Sequence, residues 1–467
     1  MDILNMGALA QSEALAEGSL TAVALMEATL ARIEAVNRQV NAIVSLRSAD
    51  VLMAEARAAD AAPRSGWLHG IPMAIKDLAD AKGLPTSMGS PLFAGTVAQK
   101  DSVVVGRLRA AGAIIIGKTN TPEFGLGSHT FNPVHGATCN PYDLAKSAGG
   151  SSGGAAAALA CGMVSVADGS DMMGSLRNPA GWNNVYGMRP SWGTVPGEPE
   201  GDMFLHQLST SGPMARTPRD LAALLDTMTG ADPRQPLGTS PDATLPQIGG
   251  QTAGLKIGWL GDWGGAFPYA DGITALSEAA LEQFGDLGHE VSDVPPPFDA
   301  AAMWDAWITL RSFAVAGGLG ALFEDADQRQ HLKPAALWEV ERGLALSARD
   351  VQRASEVRSA WYRAAADLFN TVDVLVLPSA QLWPFAVEDV HPTEIAGQRM
   401  DTYHRWMQVV VPASLIGLPV VNIPAGFGAA GLPAGLQLIG RPGSDAQLLG
   451  LAQHWQEATH WPQRRRP

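Results

Sequence analysis

The sequence predicts an α/β fold in which helices cover both faces of a β-sheet. The first observation is that short apolar segments, which indicate strands, alternate along the chain with longer segments of helical periodicity. Strands buried on both faces appear as continuous apolar runs, and these segments have that character. The second observation is composition, since 46% of the 467 residues are hydrophobic and 17% are charged, ordinary proportions for a globular protein.

The N-terminal segment, residues 1–62, is predicted to be helical. Apolar residues recur there at spacings of three and four and form one stripe: Val23, Met26, Leu30 and Ile33. Residues 41–46 could form a short strand, and residues 49–61 form an alanine-rich helix that Pro63 closes. Asp101 can cap a further helix that ends at Gly112, and a strand follows at residues 113–116.

The second half of the chain continues the alternation. Strands are predicted at residues 256–260, 372–377, 418–423 and 435–439, and helices at 219–229, 273–287, 300–311, 351–368 and 444–456. Residues 233–254 are polar and rich in proline and glycine, which indicates a linker or surface excursion. Residues from about 300 to 400 are expected to be irregular and to cover a site.

Charge and cysteine content exclude several classes of function. The net charge is −14, and the only cationic cluster, residues 464–466, is expected to be a solvated tail, so nucleic acid and anionic membranes are poor partners. Two cysteines, Cys139 and Cys161, cannot form a disulfide framework, which fits a reducing compartment. No spacing typical of metal ligands is present, so neither a metal nor another cofactor is expected.

Targeting and membrane segments are not expected either. The first 20 residues lack a cationic segment before their apolar residues, so they do not resemble a signal peptide. The longest apolar run, residues 407–427, is interrupted by three prolines and an asparagine, and this favours loop and buried strand over a membrane span. A cytoplasmic location is therefore predicted.

Two glycine-containing motifs are misleading. Residues 112–119, GAIIIGKT, match the phosphate-loop pattern, but their middle residues are predicted to be a strand and Pro122 stands where a helix should open. Residues 149–153, GGSSG, match the elbow of α/β-hydrolases, but turn-like residues precede them where that elbow needs a strand. We reject the first motif and disfavour the second.

Two further segments leave alternatives open when each is taken alone. Lys76 follows the apolar residues 73–75, and a lysine there is more often one that has emerged into solvent than one with a chemical role. Residues 148–180 hold two glycine/serine clusters around a small-residue run. They could be tight turns flanking a buried helix, or they could place a nucleophilic serine among backbone N–H donors.

Five segments together resemble the amidase signature family. In chain order they are GIPMAIKD at 70–77, GKTNTPEFG at 117–125, GGSSGG at 149–154, GSDMMGSLRNPA at 169–180 and GLPAGLQLIGRP at 431–442. The resemblance implies one large domain over residues 1–467, with a mixed central sheet covered by helices on both faces. Residues 63–230 would form its signature core and residues 255–467 the remaining core.

The resemblance also implies a Ser–Ser–Lys triad. Ser175 would be the nucleophile, Ser151 the bridging serine after a cis peptide bond, and Lys76 the base. Lysine acts as a base only when neutral, so its pKa must fall, and burial is the usual cause. The attack would produce an acyl-enzyme on Ser175 that water then hydrolyses.

Residues around Ser175 would stabilise the oxyanion. The expected backbone donors are Met172, Met173, Gly174 and Ser175. Asp171 and Arg177 match family positions that tie down this loop through charge-assisted hydrogen bonds. Met173 stands where the family usually has glycine, so the pocket depth and the loop path could differ here.

The predicted activity is hydrolysis of a carboxamide to a carboxylic acid and ammonia or an amine. The abundance of tryptophan hints at an aryl or apolar substrate. Candidate substrate-binding residues are Gly125, Leu126, Gly150, Trp182, Trp304, Trp307 and Trp406. One alternative is the glutamine-dependent amidotransferase subunit that supplies ammonia for misacylated transfer RNA. Another, a non-catalytic amidase-like binding module, is disfavoured because all three triad positions are kept. The expected partner is a small-molecule amide, and a homo-oligomer is left open.

Overall fold

Two β-sheets organise the fold. The computed structural model describes residues 3–249 and 254–467, and within them the larger sheet has eight strands and the smaller has three. The larger sheet, in spatial order, contains Glu290–Asp293, Lys256–Trp259, Val374–Pro378, Pro433–Ile439, Val420–Phe427, Tyr186–Arg189, Thr210–Ala215 and Val166–Asp171. The smaller sheet contains Ile43–Val44, Ile114–Thr119 and Pro72–Lys76.

The larger sheet is mixed, as the family resemblance implies. Lys256–Trp259 pairs in parallel with both of its neighbours, whereas the remaining ladders are antiparallel. Short ladders join Phe131–Asn132 with Gly136–Ala137, Cys139–Asn140 with Asp143–Ser147, and Glu394–Ile395 with Gln398–Arg399.

Helices lie on both faces of the larger sheet, which confirms the predicted α/β class. Alternate residues of one strand show this, because Val374 and Val376 belong to one apolar core while Leu375 and Leu377 belong to another. The longer helices are Ala8–Glu17, Ala22–Val40, Ala49–Ala61, Val103–Ala110, Gly153–Ala160, Pro218–Met228, Ile273–Asp286, Ala300–Glu324, Pro334–Leu344, Ala348–Leu368 and Asp445–Thr459. Shorter helices are Asn178–Trp182, Ala326–Arg329, Val411–Leu415 and Trp461–Arg464.

One helix cap differs from the prediction. Ser102, and not Asp101, caps helix Val103–Ala110, since the Ser102 hydroxyl accepts a hydrogen bond from the Val105 N–H at 3.3 Å. Asp101 instead accepts from the backbone N–H of Lys82 at 2.7 Å and pairs with Arg109 at 3.1 Å. Asp101 and Ser102 both have side chains that can cap a helix. Ser102 is the cap because Asp101 is engaged in these tertiary contacts.

The expectation that residues 300–400 are irregular is wrong for most of that region. Helix Ala300–Glu324 extends well beyond the predicted end at residue 311, and helices Pro334–Leu344 and Ala348–Leu368 follow it. Three glycines in the last third of the first helix conceal its continuation, because glycine is a poor helix former. Packing overrides this weak propensity: a Cβ on Gly343 would lie 2.2 Å from the Ser312 carbonyl oxygen, so the two helices approach closely there.

Helix Ala300–Glu324 has the length and apolar composition needed to cross a membrane, and it is the one such helix in the described part of the chain. The core helix of a globular protein meets the same criterion. Trp304 and Trp307 on this helix are buried within the protein. The apolar run at residues 407–427 begins with short helical turns where loop was predicted, and it ends in the buried strand Val420–Phe427, which was predicted.

The predicted linker at residues 233–254 is only partly described. Residues 233–249 form loops with one short turn of helix at Leu245–Gln247, and Ile248 is buried against the main core. Residues 250–253 lie outside the described residues, as do residues 1 and 2 of the N-terminal segment.

Candidate active site

Lys76 is buried at the point where the two sheets meet. It is the last residue of strand Pro72–Lys76, and only 1% of it is exposed. Its backbone N–H donates to Asp168 Oδ1 at 3.0 Å, which links the smaller sheet to strand Val166–Asp171 of the larger one. The lysine therefore does not emerge into solvent, the interpretation that the segment alone favoured.

Three serines surround the amine of Lys76. Its Nζ lies 2.7 Å from Ser151 Oγ, 2.9 Å from Ser152 Oγ and 3.1 Å from Ser170 Oγ. A neutral amine has two N–H donors and one lone pair. Two of these hydroxyls can therefore accept hydrogen bonds from it while a third donates its proton to the lone pair.

Burial also changes the acidity of this amine. Loss of solvation lowers the pKa of Lys76 from 10.5 to about 7. The nearby carboxylates of Asp168 and Asp171 raise it, but by less than burial lowers it. A large fraction of Lys76 is therefore neutral near pH 7 and can accept a proton.

Ser151 stands just before the buried helix Gly153–Ala160. The peptide bond between Gly150 and Ser151 is cis, as the family resemblance implies. The Gly150 carbonyl accepts a hydrogen bond from the Ser128 hydroxyl, which holds this turn. A Cβ on Gly154 would lie 2.3 Å from the backbone nitrogen of Asn120, so glycine is needed for the helix to approach that chain.

The loop that carries Ser175 follows strand Val166–Asp171. Gly174 has a φ of 81°, and a Cβ there would lie 2.9 Å from the Val410 side chain, so this position requires glycine. Met173 has no positive φ. A methionine in place of the usual family glycine is therefore compatible with the backbone path.

One of the four expected oxyanion donors is already engaged. The Gly174 N–H donates to Asp171 Oδ1 at 2.9 Å, which corrects its assignment as a donor to substrate. The N–H groups of Met172, Met173 and Ser175 remain as candidates. The sequence could not reveal this, because the bond depends on how the loop turns back over the end of its own strand.

Asp171 and Arg177 form the anchor of this loop. Arg177 donates to both carboxylate oxygens of Asp171, from Nε at 3.0 Å and from Nη2 at 2.9 Å, and Arg189 lies 3.3 Å away. Burial by itself raises the pKa of Asp171. The two guanidinium groups outweigh this effect and hold the pKa of Asp171 well below its usual range. A buried, fully paired carboxylate fixes the loop geometry around Ser175.

Ser151 and Ser175 open into one cavity of about 200 Å³, next to the amine of Lys76. Two predicted substrate-binding residues, Gly125 and Leu126, also line it. The described residues that line it are Leu78, Phe124, Gly125, Leu126, Gly127, Ser151, Ser170, Met172, Met173, Ser175, Ser209, Arg311, Val315, Gly318, Leu319 and Met407. This lining is mostly apolar. Among the residues predicted to bind substrate, Gly150 contributes only the turn before Ser151.

The tryptophans predicted to bind substrate do not line the cavity that contains Ser175. Trp182 is fully buried and stacks on Trp406, with ring centroids 5.8 Å apart. Trp304 and Trp307 lie in the apolar core, one to two helical turns before the part of their helix that reaches the cavity. Trp406 lines an adjacent cavity. Large apolar rings are commonly buried in a protein core, and these tryptophans pack there instead of lining the cavity that contains Ser175.

Several cavity residues escaped the sequence analysis. Arg311 is the most informative, because it is a charged residue within the apolar stretch of helix Ala300–Glu324 and is 3% exposed. A single charge in such a stretch is the signal that could have identified it. Phe124, Ser209 and Met407 carried no comparable signal.

The rejected phosphate loop is a strand, as predicted. Residues 114–119 form strand Ile114–Thr119, and Lys118 is buried. Its Nζ donates to the Ala79 carbonyl at 2.5 Å and to Thr86 Oγ1 at 3.0 Å. Within residues 3–249 and 254–467, no group of three or more histidine, cysteine or acidic side chains is arranged to hold a metal ion.

Comparisons with known proteins find similar sequences and similar structures over nearly the whole chain. The family model described as Amidase matches residues 24–449. The A-type subunit of glutamyl-tRNA(Gln) amidotransferase from Chloroflexus aurantiacus is 35% identical, over 97% of this chain and 96% of its own length. The acylamidase of Rhodococcus erythropolis is 32% identical, over 98% of this chain and 96% of its own. The crystal structure of a bacterial aryl acylamidase of the amidase signature family aligns with a TM-score of 0.91 at 27% identity, covering 99% of both chains.

Proposed function

The chain belongs to the amidase family, and on that premise we propose that it hydrolyses the C–N bond of a carboxamide to a carboxylic acid and ammonia or an amine. One observation carries the proposal. The amine of Lys76, whose pKa burial lowers to about 7, lies 2.7 Å from Ser151 Oγ at the cavity that also contains Ser175.

Acylation follows from this arrangement. Neutral Lys76 accepts the proton of Ser151, which accepts the proton of Ser175, and Ser175 Oγ then attacks the amide carbon. The backbone N–H groups of Met172, Met173 and Ser175 stabilise the negative oxygen of the tetrahedral intermediate. When the C–N bond breaks, the proton returns through Ser151 to the leaving nitrogen, and the acyl group stays on Ser175.

Deacylation uses the same groups. Water gives up a proton through Ser151 to Lys76 and attacks the ester carbon of the acyl-enzyme. The ester C–O bond then breaks, Ser175 regains its proton, and the carboxylic acid leaves. No group outside the chain is needed for these proton transfers.

The cavity favours an apolar or aryl substrate. The cavity that contains Ser175 is also lined by Phe124, Leu126, Met172, Met173 and Met407, and methionine adapts its shape to bulky groups. The structural likeness to a bacterial aryl acylamidase supports the same preference. We therefore place an aryl or branched aliphatic group beside the scissile amide.

An amidotransferase subunit is the second candidate, and the relative from Chloroflexus aurantiacus is the observation that favours it. Such a subunit releases ammonia from glutamine, which carries an ammonium group beside its carboxylate. Among the described residues that line the cavity, none has a carboxylate that could pair with that ammonium. We therefore favour the stand-alone amidase. The sequence leaves a homo-oligomer open, and light scattering can test for one.

A hydrolysis screen tests the proposal. The purified protein is assayed for release of ammonia or amine from aliphatic, aryl and peptide C-terminal amides, with glutamine included. Ser175→Ala is the inactive comparison, and Ser359→Ala, an exposed serine on helix Ala348–Leu368, is the matched control. Hydrolysis of an aryl or apolar amide that is lost only in Ser175→Ala supports the proposal. Hydrolysis of glutamine alone would favour the amidotransferase subunit.

A further inference from the structure

We propose that Arg311 binds a carboxylate at the end of the substrate remote from the scissile amide, so that the natural substrate is an amide of an apolar or aryl carboxylic acid or amine that carries a second, free carboxylate. The inference rests on the proposed function, because it assigns a substrate class to the same cavity.

Arg311 lies on the cavity wall that helix Ala300–Glu324 forms. The residues at positions 311, 315, 318 and 319 share one helix face, as their spacings of four, seven and eight require, and all four line the cavity. Of the lining residues that the structure describes, Arg311 alone is charged, and its side chain is 3% exposed. Its charge therefore acts in a site with little water to screen it.

One edge of the guanidinium is fully used to hold it in place. Arg311 Nε donates to Glu339 Oε1 at 2.6 Å, and Nη2 donates to the Tyr403 hydroxyl oxygen at 2.8 Å. Glu339 also accepts from the Tyr403 hydroxyl at 2.7 Å and from the Ser312 hydroxyl at 2.6 Å. These four contacts orient Arg311 without involving the substrate.

The other edge has only a weak partner. Arg311 Nη1 lies 3.3 Å from Met172 Sδ, and a thioether sulfur is a poor acceptor. A guanidinium has five N–H donors, and the strong contacts account for one on Nε and one on Nη2. Three N–H groups remain, two on Nη1 and one on Nη2. One from each nitrogen lies parallel to the other along this edge, and this pair matches the two oxygens of a carboxylate.

Met172 relates this edge of the guanidinium to the proposed nucleophile, Ser175. It lines the cavity beside Arg311 and belongs to the loop that ends in Ser175. A substrate held between Arg311 and Ser175 would contact apolar side chains along its length. No acidic residue lines the cavity in the described part of the chain, which argues against a cationic group on the same molecule. The inferred class is therefore an anionic amide with an apolar spacer.

Matched substrate pairs test the inference on the unmodified protein. The ω-carboxy amide H₂N–CO–(CH₂)n–COO⁻ is compared with the amide in which an isopropyl group replaces the carboxylate, for n from 2 to 6. The aryl pair is 4-carbamoylbenzoate and 4-isopropylbenzamide, and further pairs place the carboxylate on the amine side. We expect kcat/KM to favour the carboxylate by about 10-fold or more at one spacer length. Equal or better turnover of every isopropyl partner would overturn the inference.

Two variants locate the effect at Arg311. The double substitution Arg311→Met/Glu339→Gln removes both buried charges. Arg311→Lys keeps the positive charge but loses the two parallel N–H groups that can bind a carboxylate in bidentate fashion. The ratio of the paired kcat/KM values should fall towards one in the double variant and fall partly in Arg311→Lys. Arg363→Met, an exposed arginine on helix Ala348–Leu368, is the control and should keep the ratio of the native protein. A ratio unchanged in the folded double variant would contradict the assignment.

Measurements of binding affinity test this inference independently of the proposed function. Calorimetry on Ser175→Ala measures the affinity for each pair of amides without turnover. Tighter binding of the carboxylate partner, combined with no hydrolysis by the native protein, would refute the proposed activity and keep the site. Equal affinity for both partners would refute the site, whatever the activity.

Discussion

Lys76 Nζ and Ser151 Oγ lie 2.7 Å apart although 75 positions separate the two residues in the chain. The contact joins the end of a strand in the smaller sheet to the turn before a buried helix. Because the lysine is 1% exposed, it meets this serine in a medium that favours the neutral amine. In the proposed mechanism the two residues form a proton relay whose properties depend on burial.

The pH dependence of kcat/KM tests that relay. The proposed reaction needs neutral Lys76, and burial lowers the pKa of Lys76 to about 7. The rate should therefore rise with pH, reach half its plateau near pH 7 and fall about tenfold per unit below that. An uncharged amide substrate isolates the enzyme's own titration. A profile in which kcat/KM first rises near pH 10 would show that the pKa of Lys76 is not lowered.

The roles of the two serines can be separated by trapping the acyl group. Ser175→Ala should abolish hydrolysis and prevent acylation, whereas Ser151→Ala should slow turnover while leaving Ser175 present. Mass spectrometry after a rapid quench locates the acyl mass on the peptide that contains Ser175. An acyl group found on Ser151 instead would reverse the assignment. Circular dichroism of both variants checks that the fold is kept.

Gly174→Ala should destabilise the protein and reduce activity. Its φ of 81° costs about 1–2 kcal/mol for alanine, and the added Cβ would lie 2.9 Å from Val410. Gly18→Ala is the matched control, since Gly18 has a φ of 74° and nothing within 4 Å of an added Cβ. Chemical denaturation should show a greater loss of stability for Gly174→Ala than for Gly18→Ala. Equal losses would mean that Val410 moves aside freely.

Asp171→Asn should be strongly destabilising. The substitution leaves Arg177 and Arg189 without their buried counter-charge, a loss of about 3–5 kcal/mol in the free energy of unfolding. Glu200→Gln removes the partner of Lys100 in an exposed ion pair and should have no measurable effect. Urea unfolding of both variants measures the contrast. A stable Asp171→Asn variant would show that hydrogen bonds alone hold the loop.

Met173→Ala should shift specificity towards bulkier acyl groups. Met173 lines the cavity and is 3% exposed, so its removal enlarges the space beside Ser175. We expect the ratio of kcat/KM for a naphthamide to that for benzamide to rise by about 10-fold or more. Met26→Ala truncates a buried methionine in another core and controls for general loss of stability. An unchanged ratio would place Met173 outside the specificity-determining wall.

Much of the fold was predictable because local periodicity carries it. The predicted helix at residues 49–61 is observed with the same bounds as Ala49–Ala61, and strand Lys256–Trp259 differs from its prediction by one residue. The error at residues 300–400 arose where glycines lower helix propensity and packing restores the helix. The local sequence pattern indicates which residues of a segment are buried. It does not indicate which other part of the chain covers them.

The sequence by itself determined the α/β layering and, through five motifs in family order, indicated Lys76, Ser151 and Ser175 as candidate catalytic residues. Only the tertiary structure decided that Lys76 is buried and that the Gly174 N–H is engaged by Asp171. It also placed Arg311 in the cavity and Trp304 in the core. The physical reason is that hydrophobic periodicity is a local property of the chain. Desolvation of a lysine, competition for an N–H group and the lining of a cavity depend instead on groups brought together by the whole chain path.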